Sequence, residues 1–136
     1  MDKHAFGNPQ YGITRTLEGV SFEEAIEVTK EKLAAEGFGV LTEIDVKATL
    51  KKKIDKDIAD YVILGACNPP LAHQAIGAVP SIGLFLPCNV VVASTEKGVT
   101  VSAIDPVSMF TMLGDEGLEP VAKEAGERLS RAMAAL

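Results

Sequence analysis

Two apolar segments in the middle of the chain decide its fold: Tyr61-Val62-Ile63-Leu64-Gly65-Ala66-Cys67-Asn68-Pro69-Pro70-Leu71-Ala72-His73 and Gly83-Leu84-Phe85-Leu86-Pro87-Cys88-Asn89-Val90-Val91-Val92. Residues 61–67 are apolar without alternation, which is typical of a central strand covered on both faces or buried in a dimer interface. Asn68 can cap a following helix, because the proline after it lacks only an N–H that would be unpaired anyway. Residues 84–93 predict the next strand. Pro87 must then lie at a bulge or an edge, since it cannot donate to a ladder.

The chain before this centre predicts a strand and then a helix. Residues 11–17 alternate between apolar and polar side chains with a period of two, which indicates a strand. Ser21 and Glu24 form a capping box at the start of an amphipathic helix. Gly37 is expected to end that helix, because glycine enters the left-handed conformation cheaply.

The remaining segments complete a mixed set of strands and helices. Residues 38–46 predict a second strand, with Val40, Ile44 and Val46 on one side, and residues 47–57 predict a short helical connection. After the centre, a tight turn at residues 96–98 leads into an alternating strand. A last helix begins at about Pro120.

The order of these elements predicts an α+β fold. One strand, one helix, four strands interrupted by short helices and a terminal helix favour an antiparallel sheet with helices on one face. We expect residues 1–10 to be a flexible lead-in and residues 11–136 to form a single domain. A single-layer sheet leaves its other face open, and the abundance of aliphatic side chains predicts that this face meets a second copy in a two-fold homodimer.

Composition excludes several classes of partner. The chain has 136 residues and a net charge of −6, and a field of that sign repels phosphate backbones and anionic lipid. No apolar run approaches the ~18 residues of a membrane span, and the N-terminus lacks the apolar centre of a signal peptide. We therefore expect a cytoplasmic protein that binds neither nucleic acid nor membrane.

Cys67, His73 and Cys88 form the candidate catalytic or metal site. Cys67 precedes a helix N-terminus, where the dipole favours a thiolate, and Cys88 can lie opposite it on the neighbouring strand. Two thiolates and an imidazole would suit zinc with an open position or copper(I). Without metal they could form a redox pair, or a thiol nucleophile with His73 as its base. The favoured interpretation is two buried small side chains, an exposed histidine and no cofactor.

Asn68 and Asn89 each follow a cysteine and could orient a ligand through paired amides. A helix cap and a bond at the start of a strand are the commoner roles of asparagine in such positions. Glu43 and Asp45 share one face of the second strand and could act as paired carboxylates, although a solvated face is the commoner explanation.

The residues now assembled resemble a known family, domain of unknown function 302. The resemblance covers roughly residues 11–136 and implies a small bacterial or archaeal domain, with one strand, one helix, four strands and a closing helix. That arrangement is similar to one half of the TATA-binding-protein fold. The motifs that carry the resemblance are Ile63-Leu64-Gly65-Ala66-Cys67-Asn68-Pro69, Ala72-His73, Ile82-Gly83-Leu84, Leu86-Pro87-Cys88-Asn89-Val90-Val91-Val92 and Asp105-Pro106.

Two functional hypotheses follow, and the family's name assigns no activity that would choose between them. In the first, the protein is a dimeric binding or accessory module for a small molecule, without chemistry of its own. In the second, Cys67, His73 and Cys88 form a thiol or metal site that acts in redox or sulfur metabolism. The first is favoured, and whether the protein is an enzyme stays open.

Overall fold

A computed structural model of the protein describes residues 6–136; the first five residues of the predicted lead-in, His4 among them, lie outside this range. Five strands are present: β1 (Gly12–Leu17), β2 (Gly39–Asp45), β3 (Tyr61–Cys67), β4 (Cys88–Thr95) and β5 (Gly98–Ile104). Five α-helices accompany them: α1 (Phe22–Ala35), α2 (Val46–Ile54), α3 (Pro69–Ala78), α4 (Pro106–Thr111) and α5 (Glu119–Ala134). Short 3-10 helices span Pro80–Phe85 and Glu116–Leu118.

The strands form one antiparallel sheet in the order β1-β5-β4-β3-β2. β4 is therefore the central strand, and β1 and β2 are the two edges. The predicted α+β fold with an antiparallel sheet is confirmed. None of the helices in residues 6–136 is long and apolar enough to cross a membrane.

Helices α1 and α5 cover one face of the sheet, which we call the helix face. Strand residues on this face pack with the buried sides of both helices in one apolar core, in which Leu33, Leu64, Val90 and Leu129 are fully buried. The start of α1 is fixed as the sequence predicts, because the Ser21 hydroxyl accepts a hydrogen bond from the Glu24 N–H at 3.0 Å.

The opposite side of the sheet, which we call the open face, is not covered by α1 or α5; the segment from Phe6 to Pro9 lies against part of it. Directly paired strand residues share a face and neighbours along a strand alternate, so the register assigns its positions. They are Gly12, Thr14, Thr16, Gly39, Thr42, Ile44, Tyr61, Ile63, Gly65, Cys67, Asn89, Val91, Ala93, Thr95, Gly98, Thr100, Ser102 and Ile104.

The open face has a polar half and an apolar half. On the β1–β5 side, hydroxyls bond across the strands: Thr14 to Ser102 at 2.7 Å and Thr16 to Thr100 at 3.1 Å. On the β2–β3–β4 side, Ile44 lies opposite Ile63, and Ile63 lies opposite Val91. An apolar row therefore crosses three neighbouring strands.

Two details of the predicted strands are wrong. The register of β2 shifts between Val40 and Thr42, so Val40 pairs on the helix face and Ile44 on the open face instead of sharing one side. The irregularity inserts one position and reverses the alternation. The strand predicted from residue 84 begins only at Cys88, because residues 80–85 form a 3-10 helix and Pro87 precedes the ladder. Pro87 follows a cis peptide bond and occupies neither a bulge nor an edge.

Candidate functional site

The two cysteines line one small cavity at the end of the sheet. Cys67 ends β3 and is half-buried, and Cys88 begins β4 and is 7% exposed. The cavity has a volume of about 30 Å³, and apolar side chains such as Leu71 and Phe110 make up most of its lining. This space suffices for about one or two water molecules. A substrate would not fit without rearrangement of the lining.

The environment of Cys88 opposes thiol chemistry at neutral pH. Burial raises the pKa of the Cys88 thiol to about 11, and the charge on Cys67 adds to the increase. A thiol in apolar surroundings stays protonated, and it is the thiolate that attacks electrophiles and binds metals. Both cysteines are free thiols.

His73 does not join the cysteines. It lies on the exposed side of α3, whereas Leu71, Ala72 and Ala75 of the same helix line the cavity. In residues 6–136, no group of three histidine, cysteine or acidic side chains is placed to hold a metal ion. The structure therefore gives no support to the hypothesis that Cys67, His73 and Cys88 assemble a zinc or copper site. His73 lies more than one helical turn after the cap Asn68, at a position where its side chain is exposed to solvent.

Asn68 acts as the cap of α3. Its Oδ1 accepts a hydrogen bond from the Leu71 N–H at 3.3 Å, and the residue is 7% exposed. The amide also packs closely against the preceding loop, since a Cβ on Gly37 would lie 2.9 Å from Asn68 Nδ2. Asn68 thus fixes the end of β3 against the start of α3.

The predicted carboxylate pair serves the structure instead. The Glu43 carboxylate accepts a hydrogen bond from Lys30 Nζ at 2.9 Å, which ties β2 to α1. The Asp45 carboxylate accepts a hydrogen bond from the Ala48 N–H at 2.9 Å and caps α2. Both side chains are committed to local contacts, and neither faces the open side of the sheet.

A larger groove lies on the open face, between the sheet and the segment that leads into β1. Its volume is about 340 Å³, which falls within the ~300–1,000 Å³ typical of small-molecule sites. Apolar contacts and a few polar groups form its walls, and none of its lining residues is charged. The lining consists of Phe6, Pro9, Tyr11, Gly12, Tyr61, Asn89, Val91, Ser102, Ala103 and Ile104.

Three polar groups of the groove are available to a ligand. The Asn89 amide and the hydroxyls of Tyr11 and Tyr61 form no hydrogen bond with the part of the chain that the structure describes. Asn89 is exposed, and Tyr11 is 64% exposed. The Ser102 hydroxyl, by contrast, is engaged by Thr14 at 2.7 Å. A ligand in the groove would meet two phenols and one amide against aliphatic walls.

The structure thus separates the two asparagines proposed as ligand residues. Asn68 lies in the cysteine cavity and Asn89 in the groove. The sequence analysis did not identify the groove's other polar side chains, those of Tyr11, Tyr61 and Ser102. The one signal that could have found them is the alternation of the strands, which places Tyr61 and Asn89 on one face once the register is known.

Fold and site together define a small antiparallel α+β domain with an uncharged groove on the face that its helices leave open. The family model described as "Domain of unknown function DUF302" matches residues 13–136. The chain belongs to this family. The family is a domain of unknown function, and its description assigns no activity.

A solved structure supports the same family assignment. The crystal structure of an uncharacterized conserved DUF302 protein from Bacillus stearothermophilus is 28% identical in sequence to this chain, with a TM-score of 0.85. The match covers 93% of this chain and 98% of that one. None of the curated proteins matches the chain.

Proposed function

We propose that the protein is a binding module for a small, neutral and partly apolar molecule, and that the groove on the open face is its site. The size of the groove and its uncharged lining carry the proposal. A charged ligand would lose its hydration there without gaining an opposite charge, which is costly. A neutral ligand with an amide or hydroxyl would gain hydrogen bonds from groups that have no other partner in the described chain.

The test uses the only two tyrosines of the chain, Tyr11 and Tyr61, because both line the groove. With ring-labelled tyrosine, NMR spectra are recorded during titration with benzamide, benzoate and benzylamine, which share a shape and differ in charge. We expect benzamide to shift both tyrosine signals at concentrations in the millimolar range that so small a ligand allows. Benzoate and benzylamine should shift them much less.

Two variants sharpen this test. Asn89→Leu removes the amide from an exposed position and should weaken benzamide binding severalfold, because one hydrogen bond is lost. Thr42→Ser lies on the same face outside the groove and should leave binding unchanged. Unmoved tyrosine signals with benzamide, or equal binding of all three probes, would reject the proposal.

We propose further that the protein works in the cytoplasm and binds neither nucleic acid nor membrane. Two free cysteines suit a reducing compartment, and an open face without lysine or arginine at its strand positions offers nothing to a phosphate backbone. Fractionation of cells and a gel-shift assay with single- and double-stranded DNA test the two statements. Recovery outside the cytoplasm would overturn the first, and a salt-sensitive shift would overturn the second.

The single domain over residues 11–136 and the likeness to half of the TATA-binding-protein fold are also proposals. Two apolar clusters that are joined through α5 and Leu71 support the first. The order of the elements and the five-stranded antiparallel sheet support the second. Limited proteolysis that releases one fragment from about residue 11 tests the domain boundary, and cleavage within the sheet would contradict it.

A further inference from the structure

The segment that leads into β1 borders two separate pockets on the open face. One is the groove already described, and the other is a second pocket with a volume of about 370 Å³. Phe6 is half-buried and lines both pockets. The two pockets therefore share one aromatic side chain as a common border.

The two pockets occupy successive rows of the sheet. Ser102 pairs with Val91 in one row, and both residues line the groove. Thr16 and Thr100 pair with each other in the next row, and both line the second pocket. Neighbouring rows on one face are about 7 Å apart, because they are two residues apart along each strand. A single side chain is enough to separate pockets at this distance.

The burial of Ala93 indicates where the separation lies. Ala93 pairs with Thr100 on the open face and lines neither pocket. It is 4% exposed, although α1 and α5 pack on the other face. The segment from Phe6 to Pro9 borders the pockets on this side of the sheet, and Phe6 carries its largest side chain. A phenyl ring between the two pockets accounts for the burial of Ala93.

We propose that Phe6 is the wall that divides the open face into two pockets, and that it thereby limits the length of the ligand that the groove accepts. The limit on the ligand rests on the proposed function of the groove, whereas the division of the face does not. With the ring in place, a ligand held between the two tyrosines and Asn89 ends at Phe6. Without the ring, the same ligand can extend into the second pocket.

The second pocket favours a hydrogen-bond donor on such an extension. Thr95 donates to the Gly98 carbonyl at 3.3 Å, and its Oγ1 lies 3.3 Å from Thr100 Oγ1. Because a hydroxyl has one proton, Thr100 must donate to Thr95. Thr16, whose Oγ1 lies 3.1 Å from Thr100 Oγ1, must in turn donate to Thr100. The oxygen of exposed Thr16 is then left as an acceptor for a ligand hydroxyl.

The wall is held by packing, so that it can be removed cleanly. Residues 6–8 form no hydrogen bond within the described residues 6–136. The turn that follows them is closed by a hydrogen bond from the Gly12 N–H to the Pro9 carbonyl at 3.0 Å. Phe6→Ala therefore removes the ring and leaves the turn into β1 in place.

NMR titration of the tyrosine-labelled protein tests the limit on length. The probes are benzamide and 4-(3-hydroxypropoxy)benzamide, whose tail ends in a hydroxyl. We expect the wild type to bind the tailed probe no more tightly than benzamide, because the ring blocks the second pocket. In Phe6→Ala the tailed probe should bind roughly fivefold more tightly than benzamide, as one added hydrogen bond allows.

Gln10→Ala is the matched control for this titration. Gln10 is an exposed residue of the same segment and lines neither pocket. Its substitution should leave the relative affinities of the two probes as they are in the wild type.

A measurement without ligand tests the wall by itself. Ala93→Cys places a thiol at the buried position, and tandem mass spectrometry distinguishes its label from those of the two native cysteines. Iodoacetamide should label this cysteine slowly, since reaction requires access to the sulfur. Adding Phe6→Ala should make the labelling severalfold faster, and adding Gln10→Ala should not.

The outcomes separate the wall from the ligand site. Equal labelling with and without the ring would assign the burial of Ala93 to another side chain, such as that of its strand partner Tyr61, and would overturn the wall. Tighter binding of the tailed probe already in the wild type would overturn the limit on length. If neither probe moves the tyrosine signals of either protein, the proposed ligand site is wrong, and the labelling rates still decide whether Phe6 divides the face.

Discussion

Cys88 lies opposite Ala66 in the ladder between β3 and β4, one residue away from Cys67. Consecutive side chains of a strand point to opposite faces, so the two cysteines have different surroundings although both border the same cavity. Cys67 is half-buried at the end of its strand, and Cys88 is sealed in the core on the helix face.

The first prediction is that the two thiols differ in reactivity. Under native conditions at neutral pH, iodoacetamide should label Cys67 before Cys88, since burial protects Cys88 and keeps it protonated. Mass spectrometry of tryptic peptides measures the order, and unfolding in urea should make both labels complete. Faster labelling of Cys88, or loss of both thiols to an internal disulfide under mild oxidation, would contradict the register.

The second prediction concerns stability at alkaline pH. The pKa of Cys88 rises from its ordinary value of 9.0 to about 11 in the folded protein. Below pH 9 the thiol is protonated in both states. Between pH 9 and 11 the Cys88 thiol ionises in the unfolded chain but stays largely protonated in the folded protein. The free energy of unfolding should therefore fall by on the order of 2 kcal/mol over this range. Urea unfolding at several pH values measures this fall.

Cys88→Ala is the control for this pH dependence, because it removes the thiol and leaves the other titrating groups in place. Its free energy of unfolding should fall less steeply over the same range than that of the wild type. If the free energy of unfolding falls equally with pH in the two proteins, the pKa of Cys88 is the same in the folded and unfolded states, and the prediction is wrong.

The third prediction is that a side chain at Gly65 destabilises the fold. A Cβ at this position would collide with Thr42 Oγ1 and lie 2.8 Å from Pro87 Cγ. Gly65→Ala should therefore lower the free energy of unfolding by about 1–3 kcal/mol, measured by urea or thermal unfolding. Gly39→Ala is the matched strand control, since nothing lies within 4 Å of its Cβ; it should change stability by less than about 1 kcal/mol. Equal effects of the two substitutions would refute the steric explanation.

The fourth prediction concerns the start of α1. Ser21→Ala should lower the free energy of unfolding by about 1 kcal/mol, because the Glu24 N–H loses its acceptor. Ser21→Asn keeps a capping oxygen and should be close to the wild type. If chemical denaturation finds the two variants equally destabilised, the loss does not come from the cap.

Local signals predicted the parts of the fold that local residues determine. The serine cap and the helical spacing predict α1, and the structure has the same cap. The Asn68-Pro69 pair likewise predicts the start of α3. The irregularity beside Leu41 left no mark in the sequence, because the pairing of β2 with β3 sets it. The strand predicted from residue 84 begins later because residues Pro80–Phe85 form a 3-10 helix, in which Leu84 is 87% exposed.

The candidate site was predictable only in part, because it depends on distant contacts. Both cysteines line one cavity, but Cys88 lies opposite Ala66 and not opposite Cys67 as the sequence predicts. The direction of His73 depends on its rotation around α3, and the cap at Asn68 alone did not settle it. The groove needs Phe6 and Pro9 to lie against β4 and β5, a contact that no local pattern encodes.

The placement of β1 beside β5 has a consequence for how the chain is made. Thr14 and Ser102, which face each other across these strands, are 88 residues apart in sequence. During synthesis β1 leaves the ribosome before the other four strands, yet it has no partner until β5 has emerged. Such distant pairing slows folding. In a nascent chain arrested before β5, the backbone N–H and C=O groups of β1 would have no strand to pair with, which favours aggregation.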